Sequence, residues 1–248
     1  MDTNNLLIEK NILITGASSG IGKSLAIKLS KFGANVIMLS KNEKALDSVY
    51  DEIKEKYNTE PMIIKCDLKD LNEIKSQAIT DIIAENYSRL DAIIHNAAIL
   101  EKMSNIENYD LVTWENVLKV NLTSAFILSK YLISLMKSAL VPRIIFTTSS
   151  VGRNAKAFWG AYSVSKAGIN ALSEILSDEL ETISNMKVFN FDPKATQTSM
   201  RSLAFPAEDR DSQKKPDSLI EYYLWMLSEK SNSSEEIYIE FGQNLKTK

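Results

Sequence analysis

The sequence predicts an α/β protein with one domain, built from a doubly wound parallel sheet of about seven strands that is flanked by helices. Three observations lead to this fold class. Short apolar stretches alternate with segments of helical periodicity along the chain. The apolar stretches are nearly continuous, which is typical of parallel strands that are buried on both faces. No linker divides residues 1–248, so we expect a single domain that carries a substrate loop at about 193–216.

Composition excludes several classes of function. The chain has 248 residues, of which 44% are hydrophobic and 25% charged, and this suits one soluble domain with an ample core. A net charge of −3 gives no indication of a nucleic-acid partner or an anionic membrane surface. The apolar run Leu6–Ile8 is too short for a signal peptide or a membrane span.

The chain has one cysteine and one histidine. Cys66 cannot form an internal disulfide, which fits a reducing, cytoplasmic location. A single histidine excludes a multi-histidine metal site and disfavours serine–histidine catalysis. His95 ends an apolar run, so we expect a structural role for it and no bound metal.

The stretch Asn11–Gly22 is the first strand–turn–helix unit. Ile12–Ile14 predicts a buried strand, and apolar residues recur at helical spacing from about residue 20 onward. Three of the eight glycines of the chain lie in this turn: Gly16, Gly20 and Gly22. Such a turn directs free backbone N–H groups and the positive end of a helix dipole at one point. We therefore expect a diphosphate there, with hydroxyl donors from Ser18 and Ser19.

This glycine spacing leaves alternatives open, because Gly-x3-Gly-x-Gly alone is a weak motif. A tight turn without a ligand needs the same residues. A P-loop is a second alternative, since Ala17-x4-Gly22-Lys23-Ser24 imitates Gly-x4-Gly-Lys-Ser after a strand. A P-loop phosphotransferase also needs a magnesium-binding aspartate at a strand end, and Asp192 is the passable candidate.

Further apolar stretches, each bounded by polar, glycine or proline residues, predict the remaining strands. They are Val36–Leu39, Pro61–Cys66, Asp91–His95, Pro142–Thr148, Met186–Phe191 and Ile237–Phe241. In such sheets ligands bind at the carboxyl ends of the strands, near the point where the strand order reverses.

Helices fill most of the intervals between the strands. Gly33 ends the first helix, and Asn42 and Asp217 are predicted N-caps. After the first helix, the predicted helices are 42–57, 71–86, 114–137 with a mild break at Asn121, 161–183 and 217–228. Residues 96–108, 149–159 and 192–216 are expected to be irregular.

Polar residues at the ends of the second and third strands indicate the kind of dinucleotide. Ser40 and Lys41 stand where an acidic residue would bind a ribose 2′-hydroxyl and favour NAD. A cation suits a 2′-phosphate, so the sequence favours NADP(H), with NAD(H) as the alternative; Lys41 could equally be a solvated surface lysine. Asp67 either accepts a hydrogen bond from an adenine amino group or is the N-cap of a helix that starts near Leu68.

Tyr162 and Lys166 share one face of a predicted helix, because they are four residues apart. An ammonium beside a phenol is expected to lower the pKa of the phenol and to make it a usable acid–base group. The alternative is an exposed pair on a helix. Ser149 opens the loop that leads to this helix, and its hydroxyl would stabilise a reacting carbonyl oxygen. Asn121 lies in an apolar helical run, where it needs a hydrogen-bond partner.

These residues resemble the short-chain dehydrogenase/reductase family over essentially the whole chain. Thr15-Gly16-x3-Gly20-x-Gly22, Asn121, Ser149 and Tyr162-x3-Lys166 match its motifs in type, spacing and order. The resemblance implies a Rossmann-like fold and transfer of a hydride between a nicotinamide and a carbonyl or secondary alcohol. The cofactor contacts that we expect are Thr15, Gly16, Ser18, Ser19, Gly20, Ile21, Gly22, Lys41, Asp67, Leu68, Asn96, Ala97, Tyr162, Lys166, Pro193, Thr196 and Thr198.

The resemblance also implies roles for four residues. Tyr162 would be the general acid/base, and Lys166 would bind the nicotinamide ribose and tune Tyr162. Ser149 would orient the substrate oxygen, so that Ser149 and Tyr162 are the expected substrate contacts. Asn121 would hold a water that links Lys166 to solvent.

Further residues resemble the YciK-like branch of bacterial oxidoreductases, at 149–153, 159–162 and 200–206. Two positions depart from the family pattern. Ala98 follows the fourth strand and Lys194 follows Pro193, where the family usually has glycine. A side chain at a positive-φ position is strained, so we expect Lys194 to shift the backbone that meets the nicotinamide.

The long connection Thr198–Pro216 mixes apolar and charged side chains and favours an active-site lid. Phe158 and Trp159 are either pocket walls or core residues, and Arg153 is expected at the surface. The resemblance implies a homodimer or homotetramer through the helices at 114–137 and 161–183. The leading hypothesis is an NADP(H)-dependent oxidoreductase of a small-molecule carbonyl or alcohol. The alternatives are a non-catalytic NADP-binding sensor and a P-loop phosphotransferase.

Overall fold

Seven parallel strands form one sheet in the computed structural model of the protein, which describes residues 6–245. The strands are β1 Asn11–Thr15, β2 Asn35–Ser40, β3 Met62–Lys65, β4 Ala92–His95, β5 Arg143–Thr147, β6 Lys187–Asp192 and β7 Tyr238–Glu240. Their order across the sheet is β3-β2-β1-β4-β5-β6-β7. The order reverses between β1 and β4, which confirms the predicted doubly wound, Rossmann-like α/β fold.

Helices cover both faces of this sheet. They are α1 Gly20–Lys31, α2 Glu43–Lys56, α3 Glu73–Asn86, α4 Leu111–Leu118, α5 Ser124–Met136, α6 Gly160–Glu181, α7 Ser199–Ala204 and α8 Ile220–Met226. A π-helical turn, Lys119–Thr123, joins α4 to α5. None of the helices within residues 6–245 has the length and apolar character that crossing a membrane requires.

Successive residues of a strand point to opposite faces of the sheet, and both faces are buried. Ile12 and Ile14 of β1 pack in a core with residues of α1, α2 and α8. Leu13, between them, packs in a second core with residues of α3, α5 and α6. The strands therefore need apolar residues at consecutive positions, which explains their continuous apolar pattern.

The helix predicted to begin at Trp114 begins earlier, at Leu111. Asp110 is its N-cap and accepts a hydrogen bond from the backbone N–H of Thr113 at 2.7 Å. The mild break predicted at Asn121 is the π-helical turn.

The connection at 192–216 is not irregular throughout, because it contains α7. Thr198 caps this helix by accepting a hydrogen bond from the backbone N–H of Arg201 at 3.2 Å. Asp217, predicted as an N-cap, instead lies inside the 3-10 turn Pro216–Leu219. Its carboxylate pairs with α1, at 2.7 Å from the Ser24 hydroxyl and 2.8 Å from the Lys28 ammonium. The last helix, α8, consequently starts only at Ile220.

Candidate active site

A cavity of about 430 Å³ opens at the carboxyl ends of the strands. One side of it is the turn between β1 and α1, where Gly16, Ser18, Ser19 and Gly20 line the cavity. Gly16 and Gly20 have φ values of 70° and 53°, a conformation that favours glycine. A Cβ on Gly22 would lie 2.2 Å from the Gly16 carbonyl oxygen, so glycine is needed for this close approach. The turn and the N-terminus of α1 thus form a cradle that fits a diphosphate.

Thr15 and Asn96 join this turn to the end of β4. The Thr15 hydroxyl accepts hydrogen bonds from the backbone N–H groups of Asn96 and Ala97, both at 3.0 Å. Asn96 Nδ2 donates in return to the Thr15 carbonyl at 3.1 Å. Asn96 and Ala97 line the cavity, whereas Thr15 and Gly22 support the turn from behind. The other predicted cofactor contacts along the lining are Ile21, Lys41, Asp67, Leu68, Tyr162, Lys166, Pro193, Thr196 and Thr198.

The ends of β2 and β3 place two cations beside the cavity. Lys41 has a 62% exposed side chain, and its ammonium lies 4.0 Å from the Asp67 carboxylate. Asp67 also caps a 3-10 turn by accepting a hydrogen bond from the Lys69 N–H at 3.0 Å, as the N-cap alternative predicted. Lys69 itself lines the cavity. We did not predict Lys69 as a second cation. Its position two residues after Asp67, at the end of a predicted strand, would have placed it near the cofactor end of the sheet.

The lone histidine and the lone cysteine have different surroundings. His95 stacks on Phe146 with ring centroids 4.7 Å apart, and its Nε2 is 2.9 Å from the Ser129 hydroxyl. Burial lowers the pKa of His95 to about 3, so the ring is neutral and structural, as predicted. Cys66 is half-buried and lines the cavity, and burial raises the pKa of its thiol.

The same cavity extends away from the edge strand β3 and is lined there by Ser149, Tyr162 and Lys166. Tyr162 is 7% and Lys166 3% exposed, so they are not an exposed pair on a helix. The Lys166 ammonium donates a hydrogen bond to the Thr147 carbonyl at 2.7 Å. It lies 5.6 Å from the centre of the Tyr162 ring. The end of β5 thus holds the lysine beside the phenol.

Burial changes the proton affinities that the sequence predicted for this pair. It raises the pKa of Tyr162, with a further rise from the Asp192 charge and an opposing hydrogen bond from Ser149. Burial also lowers the pKa of Lys166 to about 8, against the opposing effect of Asp192. The expected lowering of the phenol pKa is therefore wrong, because desolvation and the Asp192 charge outweigh the hydrogen bond from Ser149.

Asn121 is buried in the π-helical turn behind the cavity. Its side-chain oxygen accepts a hydrogen bond from the backbone N–H of Ile99 at 2.8 Å, and its Nδ2 donates to the Ile99 carbonyl at 2.9 Å. Nδ2 is also 3.1 Å from the Ser165 hydroxyl on α6. These are the partners that its position in an apolar run required. Single π turns inside helices occur frequently at functional sites.

Aromatic and apolar side chains form the wall beyond Tyr162. Trp159 lies between Tyr162 and Phe205, with ring centroids 5.6 Å and 5.9 Å away. Met200, Ala204 and Leu100 line the same region. Trp159 is thus a pocket wall, whereas Phe158 is 57% exposed and outside the lining. The contribution of α7 was not predicted, because a short helix leaves little periodicity in the sequence.

The one guanidinium on this wall is already paired. Arg201 donates to both carboxylate oxygens of Glu208, at 2.6 Å and 2.7 Å. The guanidinium also lies 3.7 Å from the centre of the Phe205 ring. Arg153 stacks on Tyr238 at 4.4 Å and does not line the cavity. The wall beyond Tyr162 therefore offers mainly apolar surface.

The two departures from the family pattern, one after β4 and one after β6, differ in backbone conformation. Lys194 has a φ of 53°, which confirms that a lysine occupies a left-handed position. Ala98 has no positive φ and is not strained in this way. Asp192, at the end of β6, lines the cavity and pairs with Lys194 at 3.2 Å. Sequence reasoning considered Asp192 only as a magnesium ligand.

The P-loop alternative does not fit this geometry. Lys23 and Ser24 do not line the cavity. Ser24 donates its hydroxyl to Asp217 instead, on the outer side of α1. The Asp192 carboxylate pairs with the Lys194 ammonium at 3.2 Å, which makes it a poor ligand for a magnesium ion.

A family model for short chain dehydrogenases matches residues 10–209. This chain belongs to the short-chain dehydrogenase/reductase family. The match spans the glycine turn, Asn121, Ser149, Tyr162 and Lys166, and it makes the chain an oxidoreductase by family.

Similar proteins place this short-chain dehydrogenase near a bacterial group. It is 35% identical to the uncharacterized oxidoreductase YciK of Escherichia coli (strain K12), over 92% of this chain and 89% of that protein. A crystal structure of a short chain dehydrogenase from Escherichia coli CFT073, complexed with NADPH, is 34% identical with a TM-score of 0.93 and covers 97% of this chain and 99% of that one. Benzil reductase ((S)-benzoin forming) of Bacillus cereus is 26% identical, over 94% of this chain and 92% of the relative.

Proposed function

We propose that this chain is an NADP(H)-dependent oxidoreductase that transfers a hydride between the nicotinamide and a carbonyl or secondary alcohol. One observation carries the proposal: Ser149, Tyr162 and Lys166 line the cavity into which the glycine turn opens. A reacting substrate oxygen and a coenzyme diphosphate would therefore be bound in one continuous space. The coenzyme supplies or accepts the hydride when bound.

Three side chains would manage the proton and the charge on the substrate oxygen. The Tyr162 hydroxyl gives its proton to the carbonyl oxygen in reduction and takes the alcohol proton in oxidation. The Ser149 hydroxyl donates a hydrogen bond to the same oxygen and stabilises the negative charge that grows there. The Lys166 ammonium is held by the Thr147 carbonyl at 2.7 Å, where it stabilises the deprotonated phenol.

The coenzyme preference rests on the ends of β2 and β3. Lys41 and Lys69 both line the cavity there and suit a 2′-phosphate. The Ser18 and Ser40 hydroxyls, 2.8 Å apart, add donors at the same place. The E. coli CFT073 relative was crystallised with NADPH, which supports the same preference for this chain.

The substrate class follows from the wall beyond Tyr162. Trp159, Phe205 and Met200 offer apolar surface, and Arg201 is already paired with Glu208. An anionic substrate group that bound Arg201 would have to compete with Glu208 for the guanidinium. We therefore infer that the substrate is an uncharged carbonyl compound or alcohol with aromatic or other apolar groups.

Two measurements test this function. Protein fluorescence is titrated with NADPH, NADH and ATP, and we expect the tightest binding for NADPH. Turnover is then followed by NADPH absorbance with benzil, the compound named for the Bacillus cereus relative, and with aromatic aldehydes and a 2-keto acid of similar size. Tighter ATP binding would contradict the proposal. NADPH binding without turnover of any carbonyl would favour the sensor alternative.

We also propose a homodimer or homotetramer that associates through α4, α5 and α6, in the cytoplasm. Exposed apolar residues on these helices support the interface: Leu111, Val112, Phe126, Val164 and Ile175. Light scattering of the eluted protein tests the oligomeric state, and a monomer at micromolar concentration would contradict it.

A further inference from the structure

Asp192 is a buried carboxylate in the cavity wall that the proposed reaction does not use. It is 2% exposed and ends β6. The preceding residue, Phe191, is the partner of Thr147 across the sheet. The Thr147 carbonyl is the acceptor of the Lys166 ammonium. Asp192 therefore stands one residue beyond the point where the sheet holds Lys166.

Two residues hold this carboxylate. The backbone N–H of Lys194 donates to Oδ1 at 2.8 Å, and its ammonium lies 3.2 Å from Oδ2. The Tyr238 hydroxyl donates to Oδ2 at 3.2 Å. A buried charge persists when it is paired and hydrogen-bonded in this way. The same contacts stabilise the left-handed backbone of Lys194, which explains how a lysine is tolerated at a φ of 53°.

The lysine shares its charge with a second carboxylate. Lys194 Nζ is 2.6 Å from Glu240 Oε2, and Glu240 is much more exposed than Asp192. Lys194 therefore neutralises Asp192 only in part. Asp192 lines the cavity and is buried, so solvent screens its remaining negative charge only weakly.

The charged and titratable groups around Asp192 come from several parts of the fold. They are Tyr162 and Lys166 on α6, Tyr238 and Glu240 on β7, Lys194 and Lys214 in the connection after β6, Tyr223 of α8 behind Thr147, and Arg153 over Tyr238. Among these, Tyr162 and Lys166 line the cavity and take part in the proposed chemistry. The Asp192 charge raises the pKa of both.

We propose that Asp192 is a positioning residue for the reaction: its carboxylate keeps the buried Lys166 ammonium charged beside Tyr162, and Lys194 limits the strength of this effect. The proposal rests on the proposed function. Lys194 replaces the glycine usual in the family, and its role would be to neutralise part of the charge of the buried Asp192 carboxylate. Burial lowers the pKa of Lys166 to about 8 although the Asp192 charge raises it, so without Asp192 the lysine would lose its proton nearer to neutral pH.

The test measures NADPH affinity by protein fluorescence from about pH 6 to about pH 10, which needs no substrate. The protonated Lys166 is the form that donates to the coenzyme ribose, so affinity should fall as the pH rises through its pKa. Lys166→Met removes this fall and gives the baseline. Asp192→Asn keeps the Oδ1 acceptor and the side-chain volume but removes the charge. We expect the fall to move to lower pH by about one unit.

Lys194→Met gives the opposite expectation. It keeps a side chain at the left-handed position, so the backbone strain is unchanged, and it removes the cation beside Asp192. The fall in affinity should then move to higher pH. This variant also keeps the proposal testable if Asp192→Asn does not fold.

Asp91→Asn is the matched control. Asp91 is likewise buried and paired, with its carboxylate 2.9 Å from the Asn11 N–H and 3.0 Å from Arg89 Nε. It immediately precedes β4, at the amino ends of the strands, whereas the cavity lies at their carboxyl ends. We expect a lower midpoint of urea denaturation and an unchanged pH dependence of affinity.

Opposite shifts in the Asp192 and Lys194 variants, with none in the Asp91 variant, would support the proposal. Shifts in the same direction, or no shift in a folded variant that binds NADPH, would overturn it while leaving the proposed function intact. Absence of NADPH binding by the unaltered chain at every pH would overturn the proposed function, and this proposal with it.

Discussion

At the residue scale, the group proposed to react is a phenol whose surroundings disfavour its ionised form. Tyr162 is buried, and both burial and the Asp192 charge hold its proton. In the proposed reduction the phenol is therefore protonated near neutral pH and has a proton to give to the carbonyl oxygen. The Lys166 ammonium and the Ser149 hydroxyl would then stabilise the charge left behind.

Tyr162→Phe tests this role, because it removes the proton and leaves the ring. We expect turnover to fall by on the order of a hundredfold or more, with NADPH affinity nearly unchanged. Tyr223→Phe is the control. It also removes a buried hydroxyl, which lies near Thr147, but Tyr223 does not line the cavity. Its turnover should be close to that of the unaltered chain. Residual turnover of Tyr162→Phe similar to the control would remove Tyr162 from the mechanism.

Lys41→Asp tests the coenzyme preference at a second residue. An acidic side chain at the end of β2 would repel a 2′-phosphate and accept a hydrogen bond from a 2′-hydroxyl. The ratio of NADPH to NADH affinity should fall by about tenfold or more, given the energy of charged hydrogen bonds. Lys44→Asp makes the same charge change on α2, outside the cavity lining, and should leave the ratio unchanged. Equal ratios of NADPH to NADH affinity in the two variants would show that Lys41 does not bind the 2′-phosphate.

At the element scale, the π-helical turn between α4 and α5 links a helix pair to the active-site wall. The extra residue in the turn lets Asn121 bond with both backbone groups of Ile99, which follows β4. Nδ2 also reaches Ser165 on α6, one residue before Lys166. The turn therefore connects three segments around Lys166 through one amide.

Asn121→Ala removes this amide and leaves the half-buried N–H and C=O of Ile99 without their side-chain partner. We expect a loss of about 1–3 kcal/mol in the free energy of unfolding, together with weaker turnover. Asn86→Ala is the matched control, because Asn86 makes a single exposed bond to the Ile82 carbonyl at 2.8 Å. It should change stability by less than about 0.5 kcal/mol. Urea denaturation followed by circular dichroism measures both; similar losses would mean that the Asn121 bonds do not stabilise the turn.

At the scale of the whole molecule, the fold was predictable because each strand is apolar at consecutive positions. Successive residues such as Ile12 and Leu13 pack in different cores, so both must be apolar. This requirement is visible in the sequence as a continuous apolar run. The positive φ of Lys194 was predictable from a glycine position that the family resemblance identified. The structural role of His95 was predictable from its apolar neighbours.

Other features depend on distances that no local pattern records. Burial and the Asp192 charge raise the pKa of Tyr162, and both effects depend on how the cavity is packed. The Tyr238 and Glu240 partners of the segment after β6 come from the last strand of the sheet. The helix α7 was missed because it has only 6 residues, too few for a periodic apolar face, and its start is set by the Thr198 cap.

The position of Cys66 gives the protein a built-in reporter. It is the single cysteine of the chain, and its half-buried sulfur lies along the stretch of wall between Asp67 and Ser40. Alkylation by iodoacetamide, followed by mass spectrometry, should be slow at neutral pH and accelerate in alkaline buffer, because burial raises the pKa of the thiol. NADPH should protect the thiol at concentrations that track its affinity, whereas equal alkylation rates with and without NADPH would place the adenosine moiety elsewhere. The alkylation rate of the natural sequence can thus report where the nucleotide lies, and no chromophore has to be attached.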